Sequence, residues 1–314
     1  MVGKLSDDRL MSGSRIPVLY MWKYGSGHPW STPNDELRKS IAAKNGEPME
    51  VRDIGEPGIC GNLLEATLVL NVCEELDLPD PLLTPPVIDK SEQYYQVSLD
   101  GLTTCPEPRV IFASDVVEIV GGGNYINVQG PIPIETKVTS AHFDDDISLY
   151  RGPIQLQMQM MAVNAEYGIL MTLYQGIQRR ITIYPRDREI QQRIRELCID
   201  FADRVRTETY YAPVSVDDCA KTYPTSDFQD RVLDDVSGDV ERIVQLRAQL
   251  KEAENEIESL QTKVMSAMQE AETARAGRFL VKWPVRRYKG QPEKIVPATE
   301  ERVIRLKTLQ IKEI

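Results

Sequence analysis

The stretch PIPIETKVTS, Pro131 to Ser140, places a carboxylate and an ammonium two residues apart. Ile132, Ile134, Thr136, Val138 and Thr139 suit extended backbone, and successive side chains on a strand point to opposite faces. Glu135 and Lys137 therefore share one face, and Ile134 and Thr136 the other. An ion pair on a solvated strand is the plainest meaning of this pattern. Other polar residues give it a second meaning. Asp100 closes the alternating segment YYQVSLDG, which is expected to turn at Asp100-Gly101. Downstream, PIQLQMQMM puts Gln155, Gln157 and Gln159 on a helix, and upstream Glu65 interrupts an apolar helical stretch. Two carboxylates converging from adjacent strands are hard oxygen ligands, suited to Mg²⁺ or Mn²⁺ rather than zinc. An ammonium beside them could orient a metal-bound water or stabilise charge developing on a phosphate. That is the layout of metal-dependent phosphodiester hydrolysis.

The rest of the chain bounds the alternatives. Its 314 residues are 41% hydrophobic, enough for one large domain or two small ones. No run of about 18 apolar residues exists, so no membrane span is expected, and the N-terminal segment MVGKLSDDRLMSGSR lacks the apolar centre of a signal peptide. Five scattered cysteines without C-x-x-C spacing argue against zinc and iron–sulfur sites and fit a reducing cytoplasm. Two histidines, His28 and His142, are too few for a histidine-rich metal site. The net charge of −11 does not decide whether nucleic acid binds, because from Gly277 to Ile314 ten Lys/Arg stand against four Asp/Glu.

Periodicity supplies the elements that must position the polar residues. TPNDELRKSIAAKNG reads as a helix with Thr32 as N-cap, Pro33 in its first turn and Gly46 ending it. In residues 58–78, Leu63, Leu64, Leu68, Val72 and Leu76 recur at helical spacing, and LPDPLLTPP breaks the chain after them. RVIFASDVVEIV, YINVQG and RRITIYPRD are strand candidates, a further strand begins near Gly168, and REIQQRIRELCIDFADRVR is an amphipathic helix. This order predicts an α/β core with a mixed sheet flanked by helices. Beyond it, Ile243, Leu246, Leu250, Ala253, Ile257, Leu260, Val264, Ala267, Ala271 and Ala274 alternate steps of three and four, a heptad seam. RFLVKWPVRRY and ERVIRLKTLQI read as a basic hairpin. The expected division is residues 1–223 as core, 224–276 as long helix and 277–314 as β appendage.

The pattern VSLDGLT … IETKVT … QLQMQMMAVNAEYG resembles the PD-(D/E)XK (restriction-endonuclease-like) nucleases, and more narrowly the phage lambda-type exonucleases, also called viral recombinases or alkaline exonucleases. The N-terminal LMSGSRIPVLYMWKYGSGHPW, the helix GICGNLLEATLVL and the closing RRITIYPRDREIQQRIRELCIDFADRV resemble the matching parts of that family, so the likeness spans residues 9–215. It implies that Asp100 and Glu135 are metal ligands, joined by the main-chain carbonyl of Thr136. It implies that Lys137 is the catalytic lysine, Gln155 lies near the nucleophilic water, and Glu65 approaches a second metal. Ser14 and Arg9 would form the pocket for a 5′-phosphate. It further implies a processive 5′→3′ exonuclease on double-stranded DNA, with Mg²⁺ as cofactor and Mn²⁺ able to substitute. A ring trimer or tetramer and a role in recombination beside a single-strand annealing protein would follow.

One departure from the family is plain: 34 residues separate Asp100 from Glu135 where the family has a short hairpin. The intervening segment is then inserted or lengthened, and Asp115 becomes a rival to Asp100. Bland readings stand beside the others: Glu65 as a solvent-facing charge, the three Gln as a wet helix face, GGG at 121–123 as a turn, and Trp22 and Trp30 as packing residues. A structure-specific or restriction-type endonuclease, or a degenerate nuclease core serving as an interaction protein, are the competing functions.

Overall fold

The computed structural model describes residues 7–25, 31–47, 55–143, 148–227 and 229–285. It divides into two units, Met1–Thr222 and Tyr223–Ile314.

In the first unit the elements follow as β1 (Met11–Ser12), α1 (Ile16–Tyr24), α2 (Pro33–Lys44), α3 (Gly55–Glu75), β2 (Leu82–Leu83), β3 (Ile88–Lys90) and β4 (Tyr95–Val97). Then come β5 (Gly101–Phe112), β6 (Val117–Ile119), β7 (Tyr125–Thr139), α4 (Pro153–Val163), β8 (Tyr167–Tyr174), β9 (Gln178–Pro185), α5 (Arg188–Thr207) and α6 (Val216–Thr222). The main sheet has the order β2-β5-β7-β8-β9-β6, and a small one the order β1-β4-β3. Within the main sheet β7–β8 and β6–β9 are parallel, while β5–β7 and β8–β9 are antiparallel. The mixed sheet flanked by helices is the architecture expected.

Alternation along β7 decides which helix meets which residue. Ile132 and Ile134 join Ile169 and Met171 of β8 against Leu68, Val69 and Val72 of α3. On the opposite face, Leu170 of β8 packs on Leu156 and Met160 of α4. Leu170 is the register partner of Glu135, so Glu135 and Lys137 face α4. A further core joins α4 to α1, α2, β4 and α5. Leu68 and Val72 of α3 and Leu76 just past its end are buried, whereas Leu63 is 74% exposed.

Local chemistry accounts for the helix ends. Thr32 Oγ1 accepts the amide N–H of Asp35 at 3.0 Å and Pro33 opens α2. Gly46, with φ of +73°, follows its end. Asp187 Oδ1 caps α5 by accepting from Glu189 N and Ile190 N, each at 2.9 Å. Along α5, Ile194, Leu197, Cys198, Phe201 and Val205 are buried at helical spacing.

The long segment between Asp100 and Glu135 is a lengthened hairpin. β5 and β7 pair from Gly101↔Ile134 out to Phe112↔Tyr125, with an irregularity between Cys105 and Arg109. Pro106 and Pro108, which donate no ladder hydrogen bond, fall in that gap. Gly130, with φ of +82°, lies opposite Cys105. β6, beyond the hairpin's outer end on β5, pairs with β9 at the sheet edge.

The second unit holds α7 (Ser237–Met268), β10 (Thr273–Ala276) and β11 (Phe279–Lys282), the last two forming an antiparallel hairpin. The heptad helix is therefore shorter than expected: Ala271 lies past its end and Ala274 sits on β10. Gln269 takes a left-handed φ of +52° at the helix end, and Gly277, at +58°, makes the turn between the strands. Alanine favours helix only weakly against tertiary context, and pairing with Phe279–Lys282 outweighs that preference. The first half of RFLVKWPVRRY thus pairs backwards with 273–276. ERVIRLKTLQI and the basic residues Arg286, Arg287 and Lys289 lie outside the described residues, as do His28 and Trp30.

Candidate active site

Lys137 is the centre of the site. Its ammonium donates to Glu135 Oε1 and, at 3.3 Å, to Gln155 Oε1. The Glu135 side chain is 1% exposed and that of Lys137 34%, so the carboxylate is sealed from solvent and the lysine side chain is half-buried. Gln159, one helical turn beyond Gln155, donates to Glu135 Oε2 at 2.6 Å and to the Ser98 carbonyl at 3.1 Å. Positions i and i+4 of a helix share a face, which is why these two glutamines point into the site and Gln157 does not. Gln157 donates to Pro185 O and accepts the Asp187 amide N–H. The three glutamines are thus two site residues and one structural link, and none of them belongs to a wet helix face.

Asp100 reaches the site from the start of β5. Its Oδ2 accepts both the Thr136 amide N–H (2.8 Å) and the Thr136 hydroxyl (2.9 Å). These two hydrogen bonds lock the carboxylate beside β7. Glu65 approaches from α3 and senses the charges of Asp100 and Lys137. Burial, and then Asp100, push its carboxyl up to about 6 against the pull of Lys137. Burial and Asp100 likewise push Glu135 up, to about 7, with Lys137 and Gln159 opposing. Burial works against the Lys137 ammonium, but Glu135, Asp100 and Glu65 outweigh it and hold its pKa above the ordinary value.

The glycine after Asp100 serves helix approach rather than a turn. Gly101 is the first residue of β5, and a Cβ there would lie 2.4 Å from Cγ1 of Val69. Val69 is one helical turn after Glu65, so this contact is what lets α3 carry Glu65 to Asp100. Replacing Gly101 by Ala should therefore push α3 outward. We expect a loss of about 1–3 kcal/mol in stability by chemical denaturation, together with reduced activity. Unchanged stability would show that α3 has room to spare.

At the N-terminus, Arg15 is buried and anchors the preceding loop. It bonds Glu36 Oε2 (2.8 Å), Ser40 Oγ (2.8 Å) and the Leu10 carbonyl (3.2 Å). The anchored turn places Gly13 against Gln155, where a Cβ would lie 3.4 Å from Gln155 Cγ. Ser14, exposed, is the next residue, its hydroxyl 3.3 Å from that of Ser12. Ser14 thus follows the residue that packs on Gln155. Arg9 is exposed and pairs with Asp7, its Nε 2.8 Å from Oδ2, and that carboxylate already offsets its charge. Asp115 is exposed in the loop after β5, and that twelve-residue strand is roughly 35 Å long at about 3.3 Å per residue. The structure therefore gathers Glu65, Asp100, Glu135, Thr136, Lys137 and Gln155, and leaves Asp115 at the far end of the hairpin. Trp22 packs edge-on against Tyr211, ring centroids 4.9 Å apart.

Sequence reasoning missed two contributions. Gln159 had no role assigned, although its i+4 spacing from Gln155 was a visible signal. The Thr136 side chain, expected only as a main-chain carbonyl, also bonds Asp100; nothing in the sequence pairs two residues 36 apart.

The donor set suits a hard divalent cation. Glu65, Asp100 and Glu135 offer only oxygens, and burial, then repulsion from Asp100, raises the carboxyl pKa of Glu65 and of Glu135. A bound cation relieves such repulsion. Among the described residues no three His, Cys, Asp or Glu side chains form a ready metal cage. Mg²⁺ is commonly held by one or two carboxylates with water completing its shell.

No family model and no curated protein matches the chain. Among solved structures it is similar to an alkaline exonuclease from Laribacter hongkongensis, at 14% identity and a TM-score of 0.44, over 64% of this chain and 90% of that one. The same enzyme in complex with dAMP matches at 15% identity, TM-score 0.43, over 64% and 89%. A phage-related exonuclease from Haemophilus somnus matches at 11% identity, TM-score 0.39, over 63% and 96%.

Proposed function

We propose that the chain is a divalent-metal-dependent DNA phosphodiesterase of the PD-(D/E)XK type, acting as an exonuclease on double-stranded ends. The observation that carries this reading is the placement of Lys137 between Glu135 and Gln155, with Asp100 tied to the next residue of the same strand. An ordinary surface ion pair would need neither a buried carboxylate nor two glutamines aimed at it.

Asp100, Glu135 and the Thr136 main-chain carbonyl would hold the principal metal, and Glu65 would serve a second. When bound, Mg²⁺ would lower the pKa of a water and neutralise charge on the phosphate. The protein's own part is orientation. Gln159 fixes the Glu135 carboxylate, leaving its lone pairs aimed at the site. Thr136 does the same for Asp100. Gln155 accepts from the Lys137 ammonium, which holds Nζ between Gln155 and Glu135. From there Nζ can donate to an attacking water or to a phosphate oxygen as negative charge develops on it.

Ser14 extends the reading to DNA ends. An exposed hydroxyl one residue after Gly13, which packs on Gln155, would donate to a terminal phosphate. Replacing Ser14 by Ala, with or without Arg9 replaced by Ala, should reduce the preference for 5′-phosphorylated over 5′-hydroxyl duplexes. Equal loss on both substrates would assign these residues to general binding, and we expect Ser14 to dominate because Asp7 occupies Arg9.

The deciding experiment compares linear with covalently closed circular plasmid in Mg²⁺, and duplexes labelled at the 5′ or the 3′ end. Degradation of linear DNA alone, with early release of the 5′ label, supports the 5′→3′ exonuclease. Cutting of closed circles would make the protein an endonuclease on the same core. Failure on both would favour an interaction protein. Processivity, a ring of three or four subunits, a single-strand annealing partner and a role in recombination belong to the same reading.

A further inference from the structure

We infer that α7 is a self-association helix, along which two copies of this chain pair in antiparallel orientation. This goes beyond the proposed chemistry and does not depend on it. Along the seam of α7, Leu246, Leu250, Ile257, Leu260 and Val264 are exposed among the described residues, from 42% at Val264 to 60% at Leu250, and Ile243 is half-buried. Apolar side chains repeating in steps of three and four along 32 residues are costly to leave in water.

Two independent features select a second copy in antiparallel register. The first is steric. Taking Ile243 as a, the a positions are Ile243, Leu250, Ile257 and Val264, and the d positions are Leu246, Ala253, Leu260 and Ala267. A parallel pair stacks each residue on itself, so Ala253 meets Ala253 and Ala267 meets Ala267, leaving two thin layers. An antiparallel pair centred on Asn255 sets Ala253 against Ile257 of the second copy and Ala267 against Ile243. Leu246 then meets Val264, and Leu250 meets Leu260. Every alanine faces an isoleucine, the large-against-small packing that fills a core evenly. The second feature is charge. From Ser237 to Lys251, Arg242, Arg247 and Lys251 outnumber Asp239 and Glu241. From Glu252 to Met268, four glutamates stand against Lys263 alone. Antiparallel pairing lays the basic half of each helix along the acidic half of the other and opposes their dipoles. Parallel pairing lays acidic half on acidic half.

The test uses the full chain in a background with Cys60→Ser and Cys219→Ser, which removes the two exposed thiols. Leu250→Cys and Leu260→Cys are made singly, on differently sized tags, and are expressed alone or together. In the proposed register Leu250 faces Leu260 of the second copy. Two copies of Leu250 stand ten residues out of step, about 15 Å apart, beyond the roughly 7 Å Cα separation that a disulfide can span. Mild oxidation should therefore yield a covalent dimer on a non-reducing gel only from the co-expressed pair. A dimer from Leu250→Cys alone would establish the parallel register and overturn the proposal. Absence of covalent product from every combination would overturn it too, assigning the seam to this chain's own core or to a different protein.

Discussion

Lys137→Ala is expected to fold normally and to degrade DNA at least about 100-fold more slowly than the parent. The ammonium is the only cation hydrogen-bonded to both Glu135 and Gln155 among the described residues. Removing it takes away the group placed to stabilise charge on the phosphate, while the Ile132, Ile134 and Ile169 packing on the other face is untouched. Glu135→Ala should give a loss of the same order, because it removes the carboxylate that Gln159 and Lys137 jointly orient. Single-turnover degradation of a short labelled duplex, alongside circular dichroism, separates loss of chemistry from loss of fold. Full activity in either variant would reduce the pair to an ordinary ion pair. The same carboxylates set a pH dependence. Glu135 is pushed up to about 7 and Glu65 to about 6, so both gain protons, and lose charge for a cation, as pH falls through that window. At limiting Mg²⁺, activity should decline as pH falls from about 8 to about 6, because protons and the cation compete for these carboxylates.

Asp100→Asn should lose activity by a similar factor with little change in stability. An asparagine carbonyl can still accept from the Thr136 amide N–H and hydroxyl, so the β5–β7 junction survives, but the negative charge needed at a hard metal is gone. Asp115→Asn should retain most activity, because that side chain is exposed at the opposite end of β5. Rates measured over a Mg²⁺ titration distinguish weakened metal binding, rescued at high concentration, from loss of the chemical step. If Asp115→Asn were the inactive variant and Asp100→Asn the active one, the metal site would lie at the tip of the hairpin and the present assignment would fail.

What the linear order of residues determined is local. Period-two alternation in IETKV put Glu135 and Lys137 on one face. Helical spacing placed Gln155 and Gln159 together on α4, and capping chemistry at Thr32 and Gly46 bounded α2. The mixed α/β class followed from the order of those elements. Tertiary structure alone decided the rest, because it depends on contacts between residues far apart in the chain. The spacing of 34 residues between Asp100 and Glu135 left Asp115 in contention until the β5–β7 register brought Gly101 opposite Ile134. A glycine that looked like a turn proved to be clearance for Val69, which carries Glu65 to the site. The alanines after Met268 fit a helix as well as a strand, and only pairing with Phe279–Lys282 drew Ala274 into a hairpin. Propensity and period act over a few residues, whereas close approach, register and burial are properties of the packed chain.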